Sequence, residues 1–591
     1  MSLHQEIRRR VEAAVVAALG PEHAQGESLL QPSRDPRFGD FQCNAALPAA
    51  KALGSKPRDL ALKIVEKLDL AGLCAAPEIA GPGFVNLRIE DRALASALMA
   101  THGDPRCGVA PRSAPQRVVV DYSSPNLAKD LHVGTFRTTV IGDSIARTLE
   151  FLGHTVLRQN HYGDWGTNFG TLVAVLKREF GPDLAALERL DLPQIEALYT
   201  QGSSLRKDDP AFARDAAEEA LKLQQGEPSS RAAWRRLMDV TLANCAEIYQ
   251  RLDVTMKPEH DRPESSYNAD LSVVLDDLQR LGLLTTSEGA KVVFVDGFVN
   301  REGEPLPAIV QKADGGYNYT TTDLAAMRHR VRNLRADRIV IVTDRGQSLH
   351  FEMMAAVARK AGWLPESTVF THVGYGVIQR EIEEDGKKKK VRFKTRAGGT
   401  VKIRELLAEG VERCEKIALE KNAELAPSER TEIALRLTVA GLKYTDLKQR
   451  PDTDYVFDWD QMLAVQGDTG VYLLYAYVRI RSVFEKAGAD AASKVLLGEL
   501  RFTHPAEREL ALHLAKCEDV FSEYERELAA TPLCRYAYDL ATLFNRFYHD
   551  CPILKAEEEG VRAARLELSY LAAERLRLVL GLLGIRTVER M

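Results

Sequence analysis

Residues that can hold or move charge crowd into one short stretch: Asp121, Asn126, Lys129, Asp130, His132 and Thr135. They follow Val118-Val119-Val120, a run apolar enough for a buried parallel strand, and precede a helix expected from about Gly134 to Leu152. A strand end that turns into a helix N-terminus gathers unpaired backbone N–H groups and the positive end of the helix dipole, so it suits an anion. Gly134 lets a flat ligand such as an adenine approach the backbone. His132 can donate a hydrogen bond to phosphate, and Lys129 brings a mobile cation. His-x-Gly by itself is also an ordinary N-capping turn. The lead-in Ser123-Ser124-Pro125-Asn126-Leu127-Ala128-Lys129 before Leu131-His132-Val133-Gly134 is what singles it out.

The elements that would position these residues can be read from periodicity and punctuation. Residues 1–112 form a small α+β unit. It has a helix at about 3–19, a polar loop at Pro32–Asp40, a helical stretch from Cys43 to Leu68 broken near Gly54, and a strand at Gly83–Ile89. Gly103–Pro115 reads as a linker. Residues 113–400 have the texture of a doubly wound parallel sheet, with strands at 117–123, Thr155–Asn160, Lys291–Val295, Ala308–Gln311, Arg338–Val342 and Thr368–Val373. A helical, charged insertion occupies about 175–285. Residues 401–460 form a helical connection, and 461–591 a helix bundle. The fold class is therefore multidomain α/β: a Rossmann-like domain with a helical insertion, a small N-terminal α+β domain and a C-terminal α-helical bundle.

The chain has 591 residues, 79 Lys+Arg against 84 Asp+Glu, and a formal charge of -5. That excludes an unstructured basic nucleic-acid binder but not a local basic groove. The 8 cysteines are scattered without a C-x-x-C pair, so they read as reduced thiols and no structural metal is expected. No apolar run reaches the roughly 18 residues of a membrane span. Arg8-Arg9-Arg10 precedes an Ala/Val stretch, but Glu12 interrupts it, and the segment reads as an amphipathic helix rather than a signal peptide. No G-x-x-x-x-G-K-[ST] loop, G-x-S-x-G elbow or H-E-x-x-H helix offers a rival chemistry.

The Asn126–Thr135 block resembles the first signature of class I aminoacyl-tRNA synthetases, specifically that of the arginyl-tRNA synthetases. The resemblance extends in order through Phe38-Gly39-Asp40-Phe41-Gln42, Gly163-Asp164-Trp165-Gly166, Tyr319-Thr320-Thr321-Thr322-Asp323 and Gln347-Ser348-Leu349-His350. It continues in Phe393-Lys394-Thr395-Arg396-Ala397-Gly398, Val456-Phe457-Asp458-Trp459 and Val588-Glu589-Arg590-Met591. Two departures stand out. Thr135 occupies the place of the signature's second histidine. Arg392-Phe393-Lys394-Thr395 stands for the second signature, a Lys-Met-Ser-Lys loop, without its last lysine, and the family pattern gives Lys129 part of that role.

The resemblance implies an ATP-dependent arginine–tRNA ligase. ATP, with Mg²⁺, would lie against His132, Gly134, Thr135, Lys394, Thr395 and Arg396. Lys129, His132, Thr135 and Lys394 would serve the chemistry. Asp121 and Asp323 would face the substrate guanidinium, Asn126 would hold the amino acid's polar backbone groups, and Tyr319 and Gln347 would complete the pocket. Trp165 reads as a structural aromatic. Lys387–Lys390 read as a solvated hairpin tip. The tRNA(Arg) partner would meet Phe38, Asp40 and Gln42 at its elbow, and Tyr475 and Met591 at its anticodon loop. A cytoplasmic monomer is expected, with no membrane association. Two alternatives remain open here: a class I synthetase for another amino acid, and a non-catalytic tRNA-binding paralogue.

Overall fold

The computed structural model describes the chain except residues 1, 27–28, 34, 127–128, 165, 182–188, 385, 395–399, 423 and 489–499. Local chemistry sets the first element. Ser2 and Gln5 form a reciprocal capping box at the start of helix α1 (Leu3–Leu19), whose Ile7, Val11, Ala14 and Val15 face inward. Gly54, left-handed at φ 58°, ends α2 (Ala46–Leu53), and α3 (Pro57–Lys67) follows with proline in its first turn. Strands β1 (Gln31–Pro32), β2 (Phe41–Cys43), β3 (Glu78–Ala80) and β4 (Phe84–Leu87) form a sheet of order β1-β2-β4-β3, and α4 (Asp91–Met99) leads out of the unit.

The central sheet contains β5 (Arg117–Asp121), β6 (Thr155–Gln159), β10 (Arg338–Asp344) and β11 (Val369–Tyr375), in the order β11-β10-β5-β6. Every pair is parallel, with Val120 beside both Arg158 and Val340. Helix α5 (Val133–Phe151) connects β5 to β6. The order reverses between β5 and β10, which is where an open α/β sheet leaves a crevice beyond its strand ends. Gly142 lets α5 sit directly on the sheet, since a Cβ there would lie 2.1 Å from the Tyr122 Cβ.

The strands expected near 291–295 and 308–311 belong elsewhere. β7 (Thr285–Ser287), β8 (Ala290–Val293) and β9 (Ala308–Gln311) form a separate antiparallel sheet. Along β9, buried Ala308 and Val310 alternate with exposed Ile309. That is the pattern of a sheet with one wet face, not of a central parallel strand.

The insertion is helical: α6 (Thr167–Phe180), α7 (Leu192–Asp208), α8 (Pro210–Gln225), α9 (Pro228–Arg251) and α10 (Asn268–Arg280). Helices α11 (Tyr319–Arg332) and α12 (Ser348–Lys360) flank β10. β12 (Ile378–Glu384) and β13 (Lys387–Arg392) form a hairpin, joined at its base by β14 (Tyr455–Val456). Then come α13 (Ile403–Lys421), α14 (Pro427–Leu447), α15 (Trp459–Met462) and α16 (Gly470–Ala487). The bundle ends with α17 (Pro505–Ala515), α18 (Cys517–Glu527), α19 (Thr531–Asp550) and α20 (Glu559–Leu582). One hydrophobic core runs from α1 through α5 and α14 into this bundle. Among the described residues no helix is long and apolar enough to cross a membrane, and all 8 cysteines are buried and free.

Because Gly142 abuts a ring that cannot retreat, Gly142→Ala should destabilise the protein by about 1–3 kcal/mol through overpacking. Chemical denaturation measures this, and an unchanged midpoint would refute the close approach.

Candidate active site

After β5 the chain makes a turn that costs backbone strain. Ser123 (φ 67°) and Ser124 (φ 42°) are both left-handed, and hydrogen bonds hold each of them. Ser123 N–H donates to Thr138 Oγ1 at 3.1 Å, and Ser124 N–H to Asn160 Oδ1 at 3.0 Å. The turn delivers Pro125 and Asn126 to the sheet's C-terminal edge, where Asn126 bridges Gly163.

His132 caps α5. Its Nδ1 accepts the N–H groups of Gly134 at 3.1 Å and Thr135 at 3.4 Å. An acceptor Nδ1 in a neutral ring leaves the proton on Nε2. Burial and the Lys129 charge both lower the His132 pKa. The ring is therefore a neutral donor beside an N-terminal helix dipole. Lys129 itself lies over the Tyr199 ring, 4.5 Å from its centroid.

A cleft of about 560 Å³ opens here. One wall is Ser123–Asn126 and His132–Thr135, and the other is Val342–Asp344 with Gln347. Gly376–Ile378 and Arg392–Lys394 complete it. The structure thus brings Asn126, His132, Gly134, Thr135, Gln347 and Lys394 to one cavity. Lys394 is exposed and bridges Thr400. Leu127, Ala128, Trp165, Thr395 and Arg396 lie outside the described residues. In the hairpin above, exposed Lys388 and Lys389 pair with Glu381 and Glu384 at 3.3 and 2.7 Å. The tip thus balances much of its own charge.

Beside the cleft is a nest of acids. Helix α11 starts at Tyr319, so Tyr319 and Asp323 share its first turns. Tyr319 is 63% exposed. His350 Nε2 meets Asp323 at 2.7 Å and packs edge-on to the Tyr319 ring, 5.0 Å between centroids. His161 Nε2 lies 3.6 Å from the same carboxylate. Burial pushes the Asp323 carboxyl up, but hydrogen bonds from His161 and His350 outweigh it and hold the group at about 2. Glu264 goes the other way. Burial pushes it to about 7; His161 opposes the rise, while the Asp323 and Asp164 charges add to it. Its carboxyl lies against Gly163, and so beside Asn126.

Two expected site residues point elsewhere. The Asp121 carboxylate is buried and taken from within: Arg330 pairs with Oδ2, and Ser124 Oγ donates to Oδ1 at 2.8 Å. It is not presented to a substrate guanidinium, because a carboxylate at the sheet's buried strand end must be neutralised by a neighbour. Asp40, expected to meet RNA, holds the N-terminal unit to the bundle. Arg508 donates to its two oxygens at 2.8 and 2.9 Å, and the Ile89 N–H at 2.8 Å. Gln42 donates to Asn86 at 2.9 Å across the sheet. Phe38 remains 45% exposed, with Arg37 above its ring. Tyr475 is half-buried on α16, and Met591 packs against the core.

Sequence reasoning missed Glu264, His161 and Arg330. No spacing marks Glu264 within Arg262-Pro263-Glu264-Ser265. His350 closes the Gln347-Ser348-Leu349-His350 motif, which is the one sequence signal that points to it.

A model of "tRNA synthetases class I (R), catalytic domain" matches residues 103–459. "Arginyl tRNA synthetase N terminal domain" matches 2–89, and "DALR anticodon binding domain" matches 473–591. A Synechococcus sp. protein named arginine--tRNA ligase is 46% identical over 592 residues, covering 99% of both chains. One of the same name from Chromobacterium violaceum is 46% identical, covering 100% of both. The crystal structure of an arginyl-tRNA synthetase from Plasmodium falciparum superposes with a TM-score of 0.84 at 28% identity, covering 99% of each chain.

If Lys129 helps keep His132 neutral, Lys129→Gln should raise the His132 pKa. Histidine-selective ¹³C NMR titration reads this directly, and an unchanged or lower value would contradict the placement.

Proposed function

The chain belongs to the arginyl-tRNA synthetase family of class I synthetases and joins arginine to tRNA with ATP, and we propose that the cleft at the ends of β5 and β10 carries both steps. In the first, an arginine carboxylate oxygen attacks the α-phosphorus of ATP as the bond to pyrophosphate breaks. In the second, a ribose hydroxyl of the tRNA's terminal adenosine attacks the adenylate carbonyl, and AMP leaves with the bonding electron pair. Neither step needs a covalent link to the protein, so its contribution is positioning and charge stabilisation. ATP enters as its Mg²⁺ complex, a substrate rather than a resident metal.

The His132 Nε2–H donates to a phosphate oxygen from a ring fixed by the α5 cap. Gly134 admits the flat part of the nucleotide. Thr135 offers a hydroxyl where the family has an imidazole. Lys129, Lys394, Thr395 and Arg396 offset charge on the departing pyrophosphate.

The observation that carries the arginine assignment is geometric: His161 and His350 converge on the Asp323 carboxylate at 3.6 and 2.7 Å, and the Glu264 carboxyl lies against Gly163 close enough to feel the Asp323 charge. Two buried carboxyls this close resist ionising together. An arriving guanidinium relieves that conflict and takes both as acceptors. Asn126 and Gln347 face the cleft side, where the reacting carboxylate must lie, and Tyr319 flanks the entrance. Asp121 acts through Arg330 rather than on substrate. The N-terminal unit meets the tRNA elbow with Phe38 stacking on a base and Gln42 nearby, and the bundle reads the anticodon loop with Tyr475 and Met591. We read the working unit as a cytoplasmic monomer.

Four outcomes are expected. Asp323→Asn should abolish arginine binding in ATP–pyrophosphate exchange while leaving ATP binding intact; equal loss of both would reject the assignment. Glu264 stays protonated below about pH 7, and a neutral carboxyl does not pair with a cation. The KM for arginine should therefore climb as pH falls from about 8 to about 6. Glu264→Gln should raise that KM about 10–100-fold and flatten its pH dependence. Phe38→Ala should raise the KM for tRNA by about 5–150-fold, the worth of one stacked base, without changing those of ATP and arginine.

A further inference from the structure

Arg137, on α5 two residues past Thr135, lines the cleft yet is only 1% exposed. Its charge is used inside the protein. Nε donates to Asp446 Oδ2 at 2.9 Å, and Nη1 to the Thr453 carbonyl at 3.0 Å. The guanidinium lies 5.8 and 5.2 Å from the ring centroids of Tyr375 and Tyr455. The Tyr455 hydroxyl donates to the same Asp446 oxygen at 3.1 Å. Asp446 is on α14, outside the central sheet, and 309 residues separate it from Arg137.

The segment that Arg137 grips also holds the opposite wall of the cleft. Asp454 Oδ1 accepts the Val377 N–H at 2.8 Å, and the Pro451 carbonyl accepts the Gly376 N–H at 2.9 Å. Tyr455 pairs with Ile378 in register. A Cβ on Gly376 would fall 2.4 Å from the Asp454 carboxylate and 2.7 Å from the Thr453 carbonyl, so the Gly376 and Thr453 backbones are in direct contact. Arg345, two residues before Gln347, donates to the Asp452 carbonyl at 2.7 Å and pairs with Asp454 at 3.1 Å. Gly376, Val377 and Ile378 line the cleft and lead into the hairpin, which ends at Arg392 two residues before Lys394. The 451–455 segment is therefore tied to the hairpin base, to the turn before Gln347 and, through Arg137, to the helix that His132 caps.

We propose that Arg137, with Asp446 and Tyr455, is a positioning group for ATP that sets the distance between the α5 N-terminus and the Gly376–Ile378 wall. It does not touch the reacting atoms. A buried ion pair holds such a spacing stiffly, because breaking it strands a charge away from water. On the arginine side the network reaches only the turn before Gln347; Asp323, Glu264, His161 and His350, which face the guanidinium, are held by one another and by other elements. The effect should thus fall on ATP rather than on arginine. This rests on the cleft being the ATP site, and the arginine KM, read in the same assay, separates failure of that reading from failure of this one.

The test uses full-length Arg137→Lys and Tyr455→Phe with tRNA present, in arginine-dependent ATP–pyrophosphate exchange, together with thermal melts. Arg137→Lys keeps the charge but loses the planar fork. Its KM for ATP should rise at least about tenfold while the KM for arginine stays within about twofold. Tyr455→Phe removes only a hydroxyl and should shift the ATP KM in the same direction by a smaller factor, so it serves if the lysine variant does not fold. Asp446→Asn combined with Tyr455→Phe should be less than additive. A lowered melting temperature with an unchanged ATP KM in the folded variants would overturn the proposal and leave a structural pair. Equal rises for ATP and arginine would also overturn it.

Discussion

The hydroxyl of Thr138 holds the catalytic domain at its narrowest point. It donates to the Val342 carbonyl at 2.6 Å and accepts the Ser123 N–H at 3.1 Å. One oxygen on α5 thus fixes the ends of β5 and β10, the two strands between which the sheet order reverses. The crevice exists because those ends are apart, and it keeps its shape because α5 pins both. Thr138, Gly142 and the His132 cap all act on this one helix. Its position decides how the Ser123-Ser124 turn is strained and which atoms His132 offers to the cleft.

A second constraint is electrostatic. A site for a cationic side chain needs buried acids, and buried acids repel one another in the empty state. The structure resolves this differently at each carboxyl. Arg330 satisfies Asp121 permanently. Asp323 is held ionised by His161 and His350. Glu264 has only the His161 charge to oppose its burial and is pushed to about 7. On the reading proposed above, Glu264 is the carboxyl whose ionisation an arriving guanidinium would favour. The same economy appears at the surface. A net charge of -5 is compatible with a polyanionic partner, because tRNA selection rests on shape and base contacts more than on bulk attraction.

Much of the fold was legible in local signals. The capping box at Ser2 and Gln5 places α1, Gly54 divides α2 from α3, and Val118-Val119-Val120 declares a buried strand. These follow from backbone periodicity and short-range hydrogen bonds, which neighbouring residues control. The pattern of Ala308–Gln311 marks a strand but cannot place it in a separate antiparallel sheet, since strand pairing is decided by distant chain. The signature at Asn126–Thr135 likewise located the cleft, because its helix cap is built from residues within three positions of one another.

What the sequence by itself determined is the chemistry available and the elements that carry it: a strand, a strained turn, a capped helix and a set of acids. It could not say which acids are free. Asp40 and Asp121 looked as exposed to a ligand as Asp323 did. Asp40 meets Arg508 across 468 residues, and Asp121 meets Arg330 across 209. Those pairings form because a buried carboxylate must find a cation, and only the tertiary structure decides which cation lies within reach. For the same reason Glu264 is unremarkable in the sequence: only folding buries it where the Asp323 charge reaches it and His161 alone opposes the rise in its pKa.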